Sequence, residues 1–431
     1  MSSQTGCHLI CEDTNINKKV IKFLHIADIH LNAKKYNNLE KSLDYYRSLK
    51  SVIQKYAIDE SVAFVVIAGD LFDVRAISPI AMNQAVEIFT TLQNANIEVA
   101  VVEGNHDSLD KVTNVSWLHS LAKWGLIKLL EPTFTESGVK FEKWDSETLK
   151  GGYIEFGDVR IYGSMWFGAS VSDMLTKIVD TLRDTHDPSK YSMMMLHTDV
   201  DGILSKHIKG VAVEKLKELK TYINYLALGH THKNFEIDDF AFNPGSLDYT
   251  AIDQFAEVRG AYLVEVDTET KKHTARLMTD YEKREAIRLS FMVGQDWTPE
   301  EFSKNFLDFA DKEIVPYNGE GLAPVLEITI TGVLGFKTSL LELNKLRELI
   351  KAKYRPLLVL LKNHTLPVDF APTTEHNTSR GDRERQVVRD LVAKDPRYKD
   401  SLKMADIVFE VKKMALSGES PDKIVQMFED L

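Results

Sequence analysis

Five short apolar runs punctuate the first half of the chain, and each stops at residues suited to holding a metal. Run 21–27 gives way to Asp28 and His30. Run 62–68 ends at Gly69 and Asp70, and run 99–102 at Gly104, Asn105, His106 and Asp107. Run 193–196 ends at His197, and run 225–228 at Gly229, His230 and His232. Runs this short, rich in β-branched residues and apolar on both faces, predict buried strands. Between the second and third, apolar residues at Met82, Ala85, Val86, Phe89 and Leu92 recur at helical spacing over 80–95. Strand–helix–strand order predicts an α/β layer fold. In such sheets, functional groups gather beyond the carboxyl ends of the strands.

After Pro244-Gly245-Ser246, run 260–266 predicts a closing strand of the same domain. A second, smaller unit follows from about residue 284, with strands over 286–292, 325–331 and 356–361 and helices over 299–312 and 340–353. Its first helix has a clean start, with Thr298 as N-cap, Pro299 at the first position and Glu301 closing a capping box. Residues 371–381 form a polar linker. A charged helix over 382–393 and an amphipathic one over 401–416 come next, the latter with Met404, Ile407, Val408, Val411 and Met414 on one stripe and Gly418 as its stop. Ser420-Pro421 opens a last short helix. The expected division is a polar leader 1–20, a catalytic domain 21–283, a small α/β cap 284–370, the linker 371–381 and a helical tail 382–431.

The 431 residues are 44% hydrophobic and 27% charged, an ordinary globular composition. No apolar run suits a membrane span, and the leader lacks the core of a signal peptide, so the cytoplasm is the expected compartment. Cys7 and Cys11 are the only cysteines, and with no second pair to complete a zinc site they read as free thiols. A net charge of −11 provides no global basic field for nucleic acid. Metal-binding carboxylates inflate that tally, so a nuclease is not excluded.

Hydrolysing a phosphodiester near neutral pH needs a hydroxide nucleophile and neutralised phosphate charge. Two divalent cations about 4 Å apart supply both. Asp70 is the expected bridging carboxylate. Asp28, His30 and His232 would complete one site, and Asn105, His197 and His230 the other. Such ligands suit manganese, iron or zinc better than calcium. His106 would face the substrate as acid or charge stabiliser, with Asp107 holding the ring in position. Arg75 and Lys111, in loops after the ligand strands, are candidates for phosphate contact. His25, His119, His186, His207 and His364 stand outside any motif and read as structural. Each motif alone is weak, but the ordered set at successive strand ends is specific.

The segments LHIADIHL, VIAGDLFD, VVEGNHD, LHTDVDG, LGHTH and NPGSLD resemble the calcineurin-like metallophosphoesterases, and within them the SbcD-type DNA repair nucleases. The likeness is strong over about the first 265 residues and one of layout in the cap. It implies a four-layer α/β/β/α sandwich with metals at its edge, two Mn2+ ions (Mg2+, Fe2+ or Zn2+ being alternatives), and a homodimer. It also implies a coiled-coil SbcC-type ATPase partner, completing a heterotetramer that acts on DNA. Asp73 stands where archaeal and eukaryotic members carry a histidine, as in bacterial members, and it is not expected to be catalytic.

Three rivals remain. Protein serine/threonine phosphatases carry GDxVDRG and GNHE where this chain has GDLFDV and GNHD. A small-molecule phosphodiesterase, acting on cyclic nucleotides or phospholipids, would share the metal motifs but needs neither cap nor tail. A non-catalytic scaffold would not need a complete ligand set.

Overall fold

The computed structural model describes residues 20–110, 112–135, 138–203, 210–367, 380–393, 401–416 and 423. Cys7, Cys11, Lys111, His207, most of the expected linker and the last short helix lie outside them. The chain divides into two compact units, Met1–Arg284 and Glu285–Leu431.

In the first unit the five expected strands form, at Val20–Ile26, Phe64–Ile67, Glu98–Val101, Tyr191–His197 and Tyr225–Gly229. They belong to two six-stranded sheets. The first three run parallel side by side in one, and the last two run parallel in the other. The expected closing strand, Ala261–Asp267, pairs antiparallel with Val20–Ile26.

The two-residue period of a strand explains the layering. Phe23, Phe64, Val66, Ala100 and Val102 meet Met193, Met195, Tyr225 and Ala227 in a core between the sheets. The alternate residues Leu24, Ile26, Val65, Ile67, Val99 and Val101 face outward. There they pack on Leu49 and Val52 of helix Leu39–Val52, on Phe89 and Leu92 of helix Pro79–Asn94, and on Leu118 and Leu121. On the second sheet, Met194, Leu196, Leu226 and Leu228 pack on Leu175, Ile178 and Leu182 of helix Val171–Thr185. The order is helices, sheet, sheet, helices. With both faces covered, the strands are buried over 23–26, 64–67, 99–101, 191–197 and 225–229, which is why the runs are apolar on both faces. Each large side chain so buried contributes about 1.5–3 kcal/mol.

His25, read as structural, lies between the sheets. Its Nδ1 is 2.9 Å from the Tyr225 hydroxyl and its Nε2 is 3.1 Å from the Leu228 carbonyl. Burial lowers this imidazole to about 3, so the folded protein holds it neutral. A group with a depressed folded pKa that is cationic when protonated costs stability as pH falls below its unfolded value near 6.5. The loss grows until pH falls through about 3 and approaches roughly 5 kcal/mol. Thermal melts of wild type and His25→Phe should therefore converge between pH 6.5 and 4, the variant being less stable at pH 8 and less acid-sensitive. Parallel melting curves across that range would show that His25 is not the titrating group.

The second unit is a three-stranded parallel sheet of Ala286–Val293, Val325–Leu334 and Leu358–Pro367, with helices Pro299–Glu313 and Leu343–Tyr354. The capping box forms as expected. Thr298 Oγ1 accepts the Glu301 N–H at 3.2 Å, and the Thr298 N–H donates to Glu301 Oε2 at 2.9 Å. The last strand starts later than expected, because Arg355 ends the helix in the left-handed region at φ 53°. It also continues through the polar stretch after Leu361, since all ten residues pair in register with Val325–Leu334. Helices Arg380–Ala393 and Ser401–Leu416 lie antiparallel, with Arg389 on Asp406 at 3.2 Å and the Arg385 guanidinium over the Phe409 ring.

Candidate metal centre

Because the ligand-bearing strands run parallel within each sheet, their carboxyl ends open at one edge of the sandwich. Four of the candidate ligands, Asp28, His30, Asp70 and His230, leave their strands with positive φ. That backbone region is costly for non-glycine residues and concentrates at functional sites. Two glycines permit the close approach. A Cβ at Gly104 would strike the Asp70 carboxylate, and one at Gly69, where φ is +91°, would strike the His197 ring.

The seven expected ligands fall into two adjoining groups. Asp28, His30 and His232 form one. Asp70, His197 and His230 form the other, with Asn105 Oδ1 3.1 Å from His197 Nε2. Asp70 Oδ2 is 3.2 Å from His197 Nε2 and 3.9 Å from His30 Nε2, so this carboxylate faces both groups.

The imidazoles are aimed from behind. His197 Nδ1 donates to the Ala68 carbonyl at 2.8 Å, leaving Nε2 directed inward. His230 Nε2 is 3.1 Å from Asp199 Oδ2, and its Nδ1 faces His197. His232 Nδ1 donates to Thr250 Oγ1 at 3.1 Å, because the Thr250 hydroxyl spends its own proton on Gln254. His30 Nδ1 lies 3.5 Å from Asp73 Oδ1. Outer partners of this kind fix the tautomer of metal-binding histidines.

The inward donors fit a cation. His30 Nε2 and His232 Nε2 are 2.9 Å apart, and His197 Nε2 and His230 Nδ1 are 3.1 Å apart. Ligands that each sit about 2.1 Å from one metal lie roughly 3 Å from each other. Charge points the same way. Burial alone would lower His197, but the adjacent Asp70 carboxylate outweighs it and holds the ring at about 10. Asp70 in turn is held below the usual carboxylate range, against its burial, chiefly by His197. The pocket therefore demands positive charge beside Asp70. Burial lowers His232 to about 4, which keeps its inward lone pair free.

His106 projects beside this centre, its ring 4.9 Å from that of His30. Its backbone N–H donates to Asp70 Oδ1 at 2.9 Å. One expectation needs correction here. Asp107 does not orient the His106 ring: its carboxylate is consumed by the N–H groups of Gly104 at 2.8 Å and Leu71 at 2.7 Å. The ring is held instead by the Asp73 carbonyl, 2.6 Å from Nδ1. Asp107 thus clamps the two ligand loops together. Burial and the nearby Asp70 charge raise it to about 6.

Motif reasoning passes over Asp199 and weighs Asp73 only as a non-catalytic residue. Asp199 follows His197 by two positions, a spacing that hinted at it. The role of the Asp73 carbonyl has no side-chain signature. Arg75 is exposed, and its Nε donates to Ser108 Oγ at 3.0 Å. His119 does serve structure, accepting the Ser116 N–H at a helix start and pairing with Glu131 at 3.0 Å.

Residues 21–234 match the family model for calcineurin-like phosphoesterases. The chain is 28% identical over 312 residues to the DNA double-strand break repair protein Mre11 of Archaeoglobus fulgidus, covering 70% of this chain and 63% of that protein. The Mre11 of Saccharolobus solfataricus is 27% identical, covering 57% and 60%, and that of Sulfurisphaera tokodaii 27%, covering 57% and 59%. The chain thus spans about three fifths of the length of these relatives. Among the described residues no helix is long and apolar enough to cross a membrane. With its sandwich fold and its cluster of His, Asp and Asn side chains at the strand ends, the segment 21–234 belongs to the calcineurin-like phosphoesterase family.

Proposed function

We propose that the chain is a DNA nuclease that hydrolyses phosphodiester bonds with two divalent cations, manganese being the first choice. The observation that carries this reading is the pair of donor groups sharing Asp70. The relatives named for DNA double-strand break repair supply the substrate class. When bound, the two cations would neutralise the diester and lower the pKa of an attacking water.

The chain's own residues do the rest. Asp70 carries the negative charge that both groups need. Asp28 accepts the His230 N–H with both oxygens, at 3.0 and 2.9 Å, tying the two sheets' ligand loops together. His106, with Nδ1–H committed to a carbonyl, has only Nε2 left for the substrate. As imidazolium it would donate a proton there to the leaving oxygen. Arg75 is a candidate phosphate contact.

Incubating the full chain and manganese with linear duplex DNA or with a cyclic nucleotide tests the assignment. DNA cleavage abolished by chelator supports it. Hydrolysis of the cyclic nucleotide with DNA left intact would replace it with the small-molecule reading.

The partner in this reading is a coiled-coil SbcC-type ATPase, bound by a homodimer of this chain. What supports it is the helix pair of the second unit, which leaves Leu391 at 48%, Leu402 at 63% and Leu416 at 78% exposure. A helix pair that leaves leucines exposed on both helices suits docking into an apolar groove. A chain ending at Ala371 should keep its melting temperature and basal manganese-dependent cleavage but lose ATPase binding. Unfolding of the shortened chain, or unchanged partner binding, would make the tail a structural element.

A further inference from the structure

Beside the metal centre lies a cleft of about 500 Å³, of whose walls the mechanism above uses only Arg75. It opens between the loop after Asp70 and the segment that follows His106, and its walls include Phe72, Val74, Arg75, Ser108, Val115 and Trp117. Asp107 forms part of its lining. The same Asp107 carboxylate braces Gly104 and Leu71 behind the candidate ligands. The cleft and the loops of the candidate metal centre therefore meet at Asp107, the residue after His106.

Its surface is unusual for solvent-facing loops. Val74, Val115 and Trp117 are 47%, 48% and 43% exposed, an apolar rim around a recess floored by buried Phe72. Arg75 brings a cation to that rim, fixed through Nε to Ser108. An aromatic face, an apolar recess and a guanidinium, in a cleft that shares Asp107 with the loops of the candidate metal centre, suit a nucleobase still attached to its backbone. Volume agrees, since pockets of a few hundred Å³ suit single small aromatic ligands.

We propose, resting on the nuclease reading, that this cleft receives an unpaired base of the strand whose phosphate lies at the metal centre, stacked on Trp117. A base in a duplex has both faces covered by its neighbours and cannot enter. Selection then favours ends whose terminal pair is already open, because unstacking is least costly there. The substrate class is a frayed or single-stranded DNA terminus, with no demand on base identity, as every base offers a π face.

The test is a cycle of two changes on the full chain. One is Trp117→Ala, with Trp117→Phe as the conservative variant and exposed Trp124→Ala as control. The other is an abasic nucleotide stepped along the unpaired end of a labelled oligonucleotide. Affinity is read by fluorescence anisotropy without added metal. Manganese-dependent hydrolysis of bis(p-nitrophenyl) phosphate, which has no base, reports that the metal centre is intact in each variant.

Trp117→Ala should weaken binding of the open end about tenfold, with little effect on a fully paired end. One abasic position should cost the wild type a similar factor and cost Trp117→Ala nothing further. Trp117→Phe and Trp124→Ala should stay near wild type, and all variants should hydrolyse the base-free diester. If the wild type cuts DNA but the abasic penalty is undiminished in Trp117→Ala, the base site is overturned alone. If the wild type hydrolyses the base-free diester yet neither binds nor cuts any oligonucleotide, the nuclease reading falls and the base site falls with it.

Discussion

Asp70→Asn is expected to abolish DNA cleavage and to weaken both metals together. The carboxylate is buried, with Oδ2 facing His197 of one group and His30 of the other. An amide of the same shape keeps the acceptor for the His106 N–H but removes the charge and turns an N–H2 toward imidazoles already directed inward. Loss of an outer partner typically costs 10–100-fold in metal affinity or activity. Removing a ligand shared by two ions should exceed that, by a fall in rate on the order of 10³ or more. The near-isosteric change leaves the surrounding cores untouched, so the metal-free variant should still fold, but it should melt below wild type because the buried His197 loses the carboxylate that holds it cationic. Metal content after dialysis and cleavage rate together decide it. Full activity with two metals retained would remove Asp70 from its bridging role.

His106→Ala should separate chemistry from metal binding. The side chain touches the Asp73 carbonyl and the edge of His30, whereas the contact to Asp70 is made by the backbone N–H, which alanine keeps. The metal groups should therefore survive the substitution intact. Cleavage should fall by roughly 10²–10⁴, the usual contribution of a positioned acid or charge-stabilising donor. Equal metal content with that loss supports the assignment. A parallel fall in bound metal would make His106 a ligand.

The two experiments read each other. If Asp70→Asn loses both metals while His106→Ala keeps them, the pocket divides into residues that hold charge and one that acts on the substrate. The electrostatics anticipate this division. Asp70 and His197 perturb each other strongly, as groups do that share one small volume of low dielectric.

Much of this was legible along the chain. Short runs apolar on both faces marked strands buried on both sides, and polar residues at their ends marked the edge where chemistry collects. Period and termination are local properties, so 21–27, 62–68, 99–102, 193–196 and 225–228 could be placed within two or three residues of the observed strands. The capping box at Thr298 is local too, and formed as spaced.

What only the tertiary structure decided is partnership across distance. Strand runs do not say which sheet they join. It is the packing of Phe23, Phe64 and Val66 against Met193, Met195 and Tyr225 that brings the His197 and His230 loops to the Asp28 and Asp70 loops. Aim was also undecided. Asp107 looked like the partner of its neighbour His106, but the buried N–H groups of Gly104 and Leu71 claim its oxygens first. Burying those donors unpaired would cost more than leaving the ring to the Asp73 carbonyl. The chain specifies which groups can bind a metal. The fold, by obliging every buried donor and acceptor to find a partner, specifies which way each one points.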